Sequence, residues 1–176
     1  MKNKLTKHLN FSSISLWNEK FDDVLELDKH LDKLDKRVVF IGLNATKTLD
    51  PFLNFHSVRR GGRDRWIKEA FDNGNLGIVY MTDVIKNDTT VDSGKVNLSK
   101  ENIKENLKYL KQELLDLSSD KKLVIAVGGE VKKIILNNKD YLGVEDVFCC
   151  RYYASRCTKD EFLRSFSDVV KEIIKI

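Results

Sequence analysis

The sequence predicts an α/β fold in which helices cover both faces of a central, mostly parallel sheet of four strands. Apolar runs rich in β-branched residues recur along the chain, and segments with helical spacing lie between them. The runs are continuous, which is typical of strands buried on both faces. The intervening helices are long enough for crossover connections, so neighbouring strands should be parallel. A three-layer αβα architecture is expected.

The elements follow in order along the chain. Strands are predicted at residues 37–44, 77–85, 122–130 and 144–150. Apolar residues with helical spacing predict helices in five further segments: 25–34, 66–72, 99–117, 131–136 and 161–176. The polar stretch from Lys86 to Asn97 is predicted to be a surface loop.

Length and composition indicate one domain. The chain has 176 residues with 41% hydrophobic content, enough for one full core. Residues 1–36 are expected to form a helical extension that packs on this domain. The protein is expected to be a monomer. No apolar run approaches the length of about 18 residues that a membrane span needs, and the start lacks a secretory signal. A cytoplasmic protein without membrane contact is expected.

Cysteine usage excludes several classes of site. The three cysteines, Cys149, Cys150 and Cys157, are crowded together and contain no CxxC pair. This is neither a disulfide framework nor a zinc site. An iron–sulfur cluster needs four cysteine ligands. We therefore expect no metal and no cofactor.

Positive charge is concentrated in one segment. The net charge is only +4, but RRGGRDRWIK (Arg59–Lys68) alone carries five cations and one anion. A glycine-containing, arginine-rich loop that leads into a helix suits phosphate contact. The alternative is a solvated helix start.

Polar residues collect where the predicted strands end. In parallel sheets these ends meet at one edge, where ligands bind. The first strand ends in Asn44, the second in Thr82–Asp83, the third in Gly128–Glu130, and residues 151–156 follow the fourth. We expect one cleft lined by an amide, a carboxylate, bare backbone and a phenol.

This set, in this order, resembles the uracil-DNA glycosylase superfamily over about residues 37–156. GLNAT (Gly42–Thr46) is similar to the first motif of the mismatch-specific and single-strand-selective branches, VYMTDVIK (Val79–Lys86) to the second strand of the thermostable branch, and IAVGGEV (Ile125–Val131) to the third strand. CRYYASR (Cys150–Arg156) lies where the family carries His-Pro-Ser. The resemblance implies a hydrolase that cleaves the N-glycosidic bond of a flipped base in DNA during base excision repair.

The resemblance also implies roles for individual residues. Asn44 would position the attacking water, Phe52 or Phe55 would stack on the base, Asp83 would bind its edge, and Tyr152 would donate a hydrogen bond to the leaving base. A further group would contact DNA phosphates: His56, Arg59, Arg60, Arg63, Arg151, Ser155 and Arg156.

Two positions depart from the family pattern. Asp83 replaces an asparagine that pairs with uracil, and an ionised carboxylate cannot donate to the uracil O4 oxygen. Tyr152 replaces a histidine and cannot carry a positive charge. These departures lead to the hypothesis that the substrate is a deaminated or damaged base other than plain uracil.

Other interpretations stay open. Asn44 could cap a turn, Phe52 and Phe55 could be core residues, and His56 could be structural. The protein could bind nucleic acid or nucleotides without catalysis. It could also be an N-glycosidic hydrolase of free nucleosides or nucleotides, with Asp83 or Glu130 as the working carboxylate.

Overall fold

The computed structural model describes residues 4–17, 30–45, 54–56, 63–88, 90, 92–153 and 157–176. Within them, the chain forms an α/β fold around a five-stranded, mostly parallel sheet. The strands are β1 (Ser13–Ile14), β2 (Leu34–Asn44), β3 (Ile78–Ile85), β4 (Leu123–Val127) and β5 (Asp146–Cys150). Their order is β1-β3-β2-β4-β5, with β2 in the centre. Strands β2 to β5 are parallel, and β1 is antiparallel to β3.

Five α-helices lie among the described residues. They are α1 (Asp64–Gly74), α2 (Lys100–Asp116), α3 (Gly129–Asn137), α4 (Lys139–Leu142) and α5 (Lys159–Ile173). Short 3-10 helices span Lys4–His8, Leu31–Lys33 and Ser93–Lys95. Two helix starts follow directly from the sequence: the Ser99 side chain caps α2, and Thr158 forms a capping box with Glu161 at the start of α5.

The sheet separates two hydrophobic cores. One face packs against α2, α3 and the amino-terminal segment, and its core includes Ile41, Tyr80 and Leu110. The other face packs against α1 and α5, and its core includes Phe40 and Phe166. Helices on both faces are compatible with the expected three-layer αβα arrangement.

The strand count differs from the prediction. The four predicted strands are present, but the sheet has a fifth strand, Ser13–Ile14, which pairs with Met81 and Tyr80 at the edge of β3. The prediction was wrong here because two residues, one of them serine, show no strand periodicity. The amino-terminal region therefore contributes a strand to the sheet.

The predicted helix at 25–34 is not found where the chain is described. Residues 31–33 form a 3-10 helix and Leu34 begins β2, while 25–29 lie outside the described residues. The predicted loop from Lys86 to Asn97 contains the 3-10 helix Ser93–Lys95. Across the described ranges, we find no helix with the length and apolarity needed to span a bilayer.

Candidate functional site at the carboxyl edge of the sheet

The candidate site lies where β2 and β3 end side by side. Chain order brings β3 to one side of β2 and β4 to the other, which is a topological switch point where α/β sheets bind ligands. Gly42 of β2 stands opposite Asp83 of β3. Since side chains alternate along a strand, Gly42 and Asn44 share the face of Phe40, the face covered by α1 and α5.

Gly42 provides the space that Asp83 occupies. A methyl group at Gly42 would lie 2.3 Å from Asp83 Oδ1 and 2.9 Å from Phe55 Cζ. No residue larger than glycine fits there without displacing both side chains. The predicted base-stacking Phe55 and the predicted base-binding Asp83 are therefore brought together above the Gly42 backbone.

Asp83 is a buried acid. Its side chain is almost fully enclosed, at 1% exposure, and Oδ2 accepts a hydrogen bond of 2.7 Å from Asn54 Nδ2. Burial raises the pKa of Asp83 to about 7, although the bond from Asn54 and the charge of Lys86 act in the opposite direction. Near neutral pH, much of this acid is in its neutral form, which both donates and accepts a hydrogen bond.

Asn44 holds the loop after β3. Its Nδ2 donates to the backbone oxygens of Thr90, at 2.8 Å, and Asp88, at 3.2 Å. The Asp88 carboxylate in turn accepts hydrogen bonds from the backbone N–H groups of Thr90 and Asn97. With both amide hydrogens directed at carbonyl oxygens, the orientation of the carboxamide is fixed. Its Oδ1 accepts no hydrogen bond from the described part of the chain.

Tyr152 lies over the end of β4. Gly128, with φ 92°, follows this strand, and a methyl group there would lie 3.0 Å from Tyr152 Cβ. The Tyr152 ring is half-buried and packs edge-on against Tyr153, with centroids 5.7 Å apart. The predicted catalytic tyrosine is thus seated on the backbone at the same edge of the sheet as Gly42.

A second carboxylate borders the site. The Tyr153 hydroxyl is hydrogen-bonded to Asp64, the first residue of α1. Removal from water raises the pKa of Tyr153, and the charges of Asp64 and Asp83 act in the same direction. Arg63 donates to the Tyr153 backbone oxygen at 2.7 Å and stacks on Trp66. These contacts fix the start of α1 against the segment that follows β5.

His56 has a different environment from the predicted phosphate contact. The ring is 4% exposed, its Nε2 donates to the Ile14 backbone oxygen at 3.0 Å, and it stacks on Trp17 at 4.8 Å. Burial lowers the pKa of His56 to about 4, so the ring is neutral at neutral pH. A neutral, buried ring does not favour phosphate binding, and DNA contact by His56 stays a prediction.

The remaining predicted residues are only partly described. Arg151 is exposed, 3.7 Å from Glu161. Glu130, the alternative carboxylate, is exposed on α3 and lies 3.9 Å from Lys133. Five predicted residues lie outside the described part of the chain: Phe52, Arg59, Arg60, Ser155 and Arg156.

The opposite face of the same strand end carries a complete ion pair. Lys86 Nζ lies 2.7 Å from Glu113 Oε2 of α2 and donates to the Asp83 backbone oxygen at 2.6 Å. It also donates to Thr82 Oγ1, which donates in turn to the Glu113 carboxylate at 3.0 Å. The Tyr80 hydroxyl donates to Glu113 Oε1 at 3.3 Å. All four side chains are buried.

Several site residues are not predicted by the sequence patterns. No periodic pattern singles out Asn54, Asp64 or Tyr153. Nothing in the neighbouring residues indicates that Asn54 bonds to Asp83 or that Asp64 bonds to Tyr153. Glu113 does leave a signal, because it lies beside Leu110 and Leu114 on the apolar face of α2. A charge at such a position indicates a buried partner.

Two further observations concern possible metal ligands and the similarity of the chain to known proteins. No cluster of three or more His, Cys, Asp or Glu side chains suited to a metal ion occurs among the described residues. No protein-family model matches the chain, and no curated protein matches it either.

Proposed function

We propose that the protein is a DNA glycosylase that hydrolyses the N-glycosidic bond of a deaminated or damaged base, on a divergent uracil-DNA glycosylase-like fold. The observation that carries the proposal is the fixed carboxamide of Asn44, which lies at the carboxyl edge of the sheet and whose Oδ1 accepts no hydrogen bond from the described residues. An acceptor held in one orientation is what a water needs to be aimed at a sugar carbon. The order of the four resembling segments supports the same reaction class.

In the proposed reaction, Asn44 Oδ1 accepts a hydrogen bond from the attacking water. The bond between the base nitrogen and C1′ breaks with its electrons going to the base, and a bond forms between C1′ and the water oxygen. The proton lost by the water ends on the departed base. Tyr152 would donate a hydrogen bond to a base oxygen as negative charge develops there.

The raised pKa of Asp83 changes the expected base preference. In its neutral form, the acid accepts from a ring N–H and donates to a carbonyl oxygen, the same pair of interactions that an asparagine offers. Uracil then becomes an acceptable ligand at low pH. The ionised form would favour bases with two neighbouring N–H donors, so the preference for uracil should fall as pH rises through about 7.

The direct test is cleavage of oligonucleotides that contain a single uracil, hypoxanthine, xanthine or alkylated base. For the base that is excised, Asn44→Ala should lower single-turnover cleavage by about 100-fold or more, with DNA affinity unchanged. Asp88→Ala is the matched control because it also loosens the loop held by Asn44 but leaves the carboxamide in place. Equal losses in the two variants would show that Asn44 acts only through the loop.

If none of these oligonucleotides is cleaved but DNA is still bound, the protein is a nucleic-acid-binding protein and the proposed enzyme activity is wrong. A titration with salt separates polymer binding from binding of free nucleotides, because affinity that depends on several phosphates falls steeply as salt rises.

A further inference from the structure

The Asn54 carboxamide lies directly on the acid that is proposed to bind the base. Asn54 Nδ2 donates to Asp83 Oδ2 at 2.7 Å, and both residues are buried, at 6% and 1% exposure. The same nitrogen donates to the Phe11 backbone oxygen at 3.0 Å. An amide N–H is also the donor that a nucleobase edge presents to such an acid. The protein's own side chain thus makes the contact expected of a ligand.

Phe55 closes the same space from above. Its ring lies against Gly42 and packs edge-on against Phe40, with centroids 5.4 Å apart. Its backbone is left-handed, with φ 65°, a conformation that bulky residues seldom adopt. Phe55 stays in this conformation only if the residues before and after it are held by firm contacts.

Those contacts are present on both neighbours of Phe55. The Asn54 backbone oxygen accepts a hydrogen bond of 2.5 Å from Ser13 Oγ, and His56 is bonded to the Ile14 backbone oxygen. Strand β1 therefore holds residues 54–56 in place above Gly42 and Asp83.

We propose that residues 54–56 form an internal stand-in ligand, in which the Asn54 carboxamide occupies the position of a nucleobase edge on Asp83. This inference rests on the proposed function. The ligand is a base with a ring N–H or exocyclic amine, and it enters by displacing Asn54. Because only molecules in which Asn54 has left Asp83 can bind the base, the apparent affinity is reduced by the fraction of molecules in that state.

The test compares wild-type protein with Asn54→Ala and with the control Ser13→Ala, which removes a bond to the Asn54 backbone and leaves its carboxamide intact. The probe is an oligonucleotide with one 2′-fluoro-2′-deoxyuridine, whose glycosidic bond resists cleavage. The reference is the same oligonucleotide with an abasic tetrahydrofuran residue, which presents no base edge to Asp83. Dissociation constants are measured by fluorescence anisotropy at fixed salt.

Asn54→Ala should increase the preference for the probe over the reference by about tenfold, and Ser13→Ala by less. An unchanged or smaller preference in Asn54→Ala would overturn the stand-in role. If wild-type protein still excises a base in that case, the proposed function survives alone. If no variant prefers the probe and no base is excised, both proposals fall.

A folding control keeps the test decisive. Asn54→Ala leaves the buried Asp83 without its amide partner, so thermal melting of each variant is recorded first. If Asn54→Ala does not fold, the comparison is made with Asn54→Ser, whose shorter side chain cannot make the 2.7 Å contact but stays polar. The same increase in preference is expected, and its absence would overturn the inference.

Discussion

Thr82 and Asp83 are neighbours on β3, and their side chains lie on opposite faces of the sheet. The buried carboxyl groups on these two faces have different kinds of partner. On the α2 face, the Glu113 carboxylate is paired with the Lys86 ammonium and receives hydrogen bonds from two hydroxyls. On the α1 face, the neutral amide of Asn54 is the one side chain among the described residues that is hydrogen-bonded to the Asp83 carboxyl, and burial raises the pKa of Asp83 to about 7.

The difference separates a structural network from a candidate site. A buried charge with an opposite charge and its own hydrogen bonds is satisfied and ties α2 to the sheet. A buried acid whose carboxyl touches no cation of the described residues can change its protonation or its partner, which is typical of functional positions. The variants below alter the Glu113 network or the surroundings of Asp83, beginning with the variant that should have the largest effect.

Glu113→Gln should be the most destabilising change, lowering the free energy of unfolding by about 3–5 kcal/mol, because it leaves the Lys86 ammonium buried without its counter-charge. Urea denaturation measures the loss. The exposed Glu130→Gln is the control, with an expected change of about 0–1 kcal/mol. The double variant Glu113→Leu with Lys86→Met should recover much of the lost free energy of unfolding, because it leaves no unpaired charge in the core. A small loss in Glu113→Gln would show that the ion pair is not the anchor of α2.

Asp83→Asn should change how stability depends on pH. In the wild type, the folded pKa of about 7 exceeds the ordinary value of 3.8, so the unfolded chain ionises first. The contribution of Asp83 is therefore fully present below 3.8, falls as pH rises, and is lost above about 7. Asp83→Asn should gain stability relative to wild type over that range. Parallel curves for the two proteins between about pH 4 and about pH 7 would contradict the raised pKa.

Gly42→Ala should lower the free energy of unfolding by about 1–3 kcal/mol, because its methyl group would overlap Asp83 and Phe55. Gly129→Ala is a matched control, since a methyl group there meets nothing within 4 Å. Thermal melting of the two variants measures the difference. Equal melting temperatures would mean that the space above Gly42 is not tightly packed.

Tyr80→Phe should have the smallest effect, about 1 kcal/mol, because Glu113 keeps its bonds to Thr82 and Lys86 when the phenol is removed. Urea denaturation of Tyr80→Phe and Glu113→Gln measures the loss in free energy of unfolding for each variant. A loss as large as that of Glu113→Gln would show that the hydroxyl, rather than the ion pair, satisfies the carboxylate.

Elements with strong local patterns were predictable, and contacts between distant segments were not. The runs around β2 to β5 and the leucine spacing of α2 specify their own structure through periodicity. Strand β1 is too short to show a pattern, and it forms because Ser13 and Ile14 complete the edge of β3.

The candidate site was predictable at the level of strand ends. Asn44, Asp83 and Tyr152 were selected because parallel strands finish at one edge, and the structure places them at that edge. The hydrogen bond between Asn54 and Asp83 joins positions 29 residues apart, and the raised pKa of Asp83 depends on burial, which no local pattern encodes.

Strand β1 has a practical consequence for work on this protein. Its two residues cover the edge of β3, and the Phe11–Ile14 segment also bonds to Asn54 and His56. Deleting the first 14 residues would thus uncover a sheet edge open to intermolecular pairing and alter the cleft at the same time. Affinity tags are better attached after Ile176, which is exposed beyond the end of α5 and lies outside these contacts.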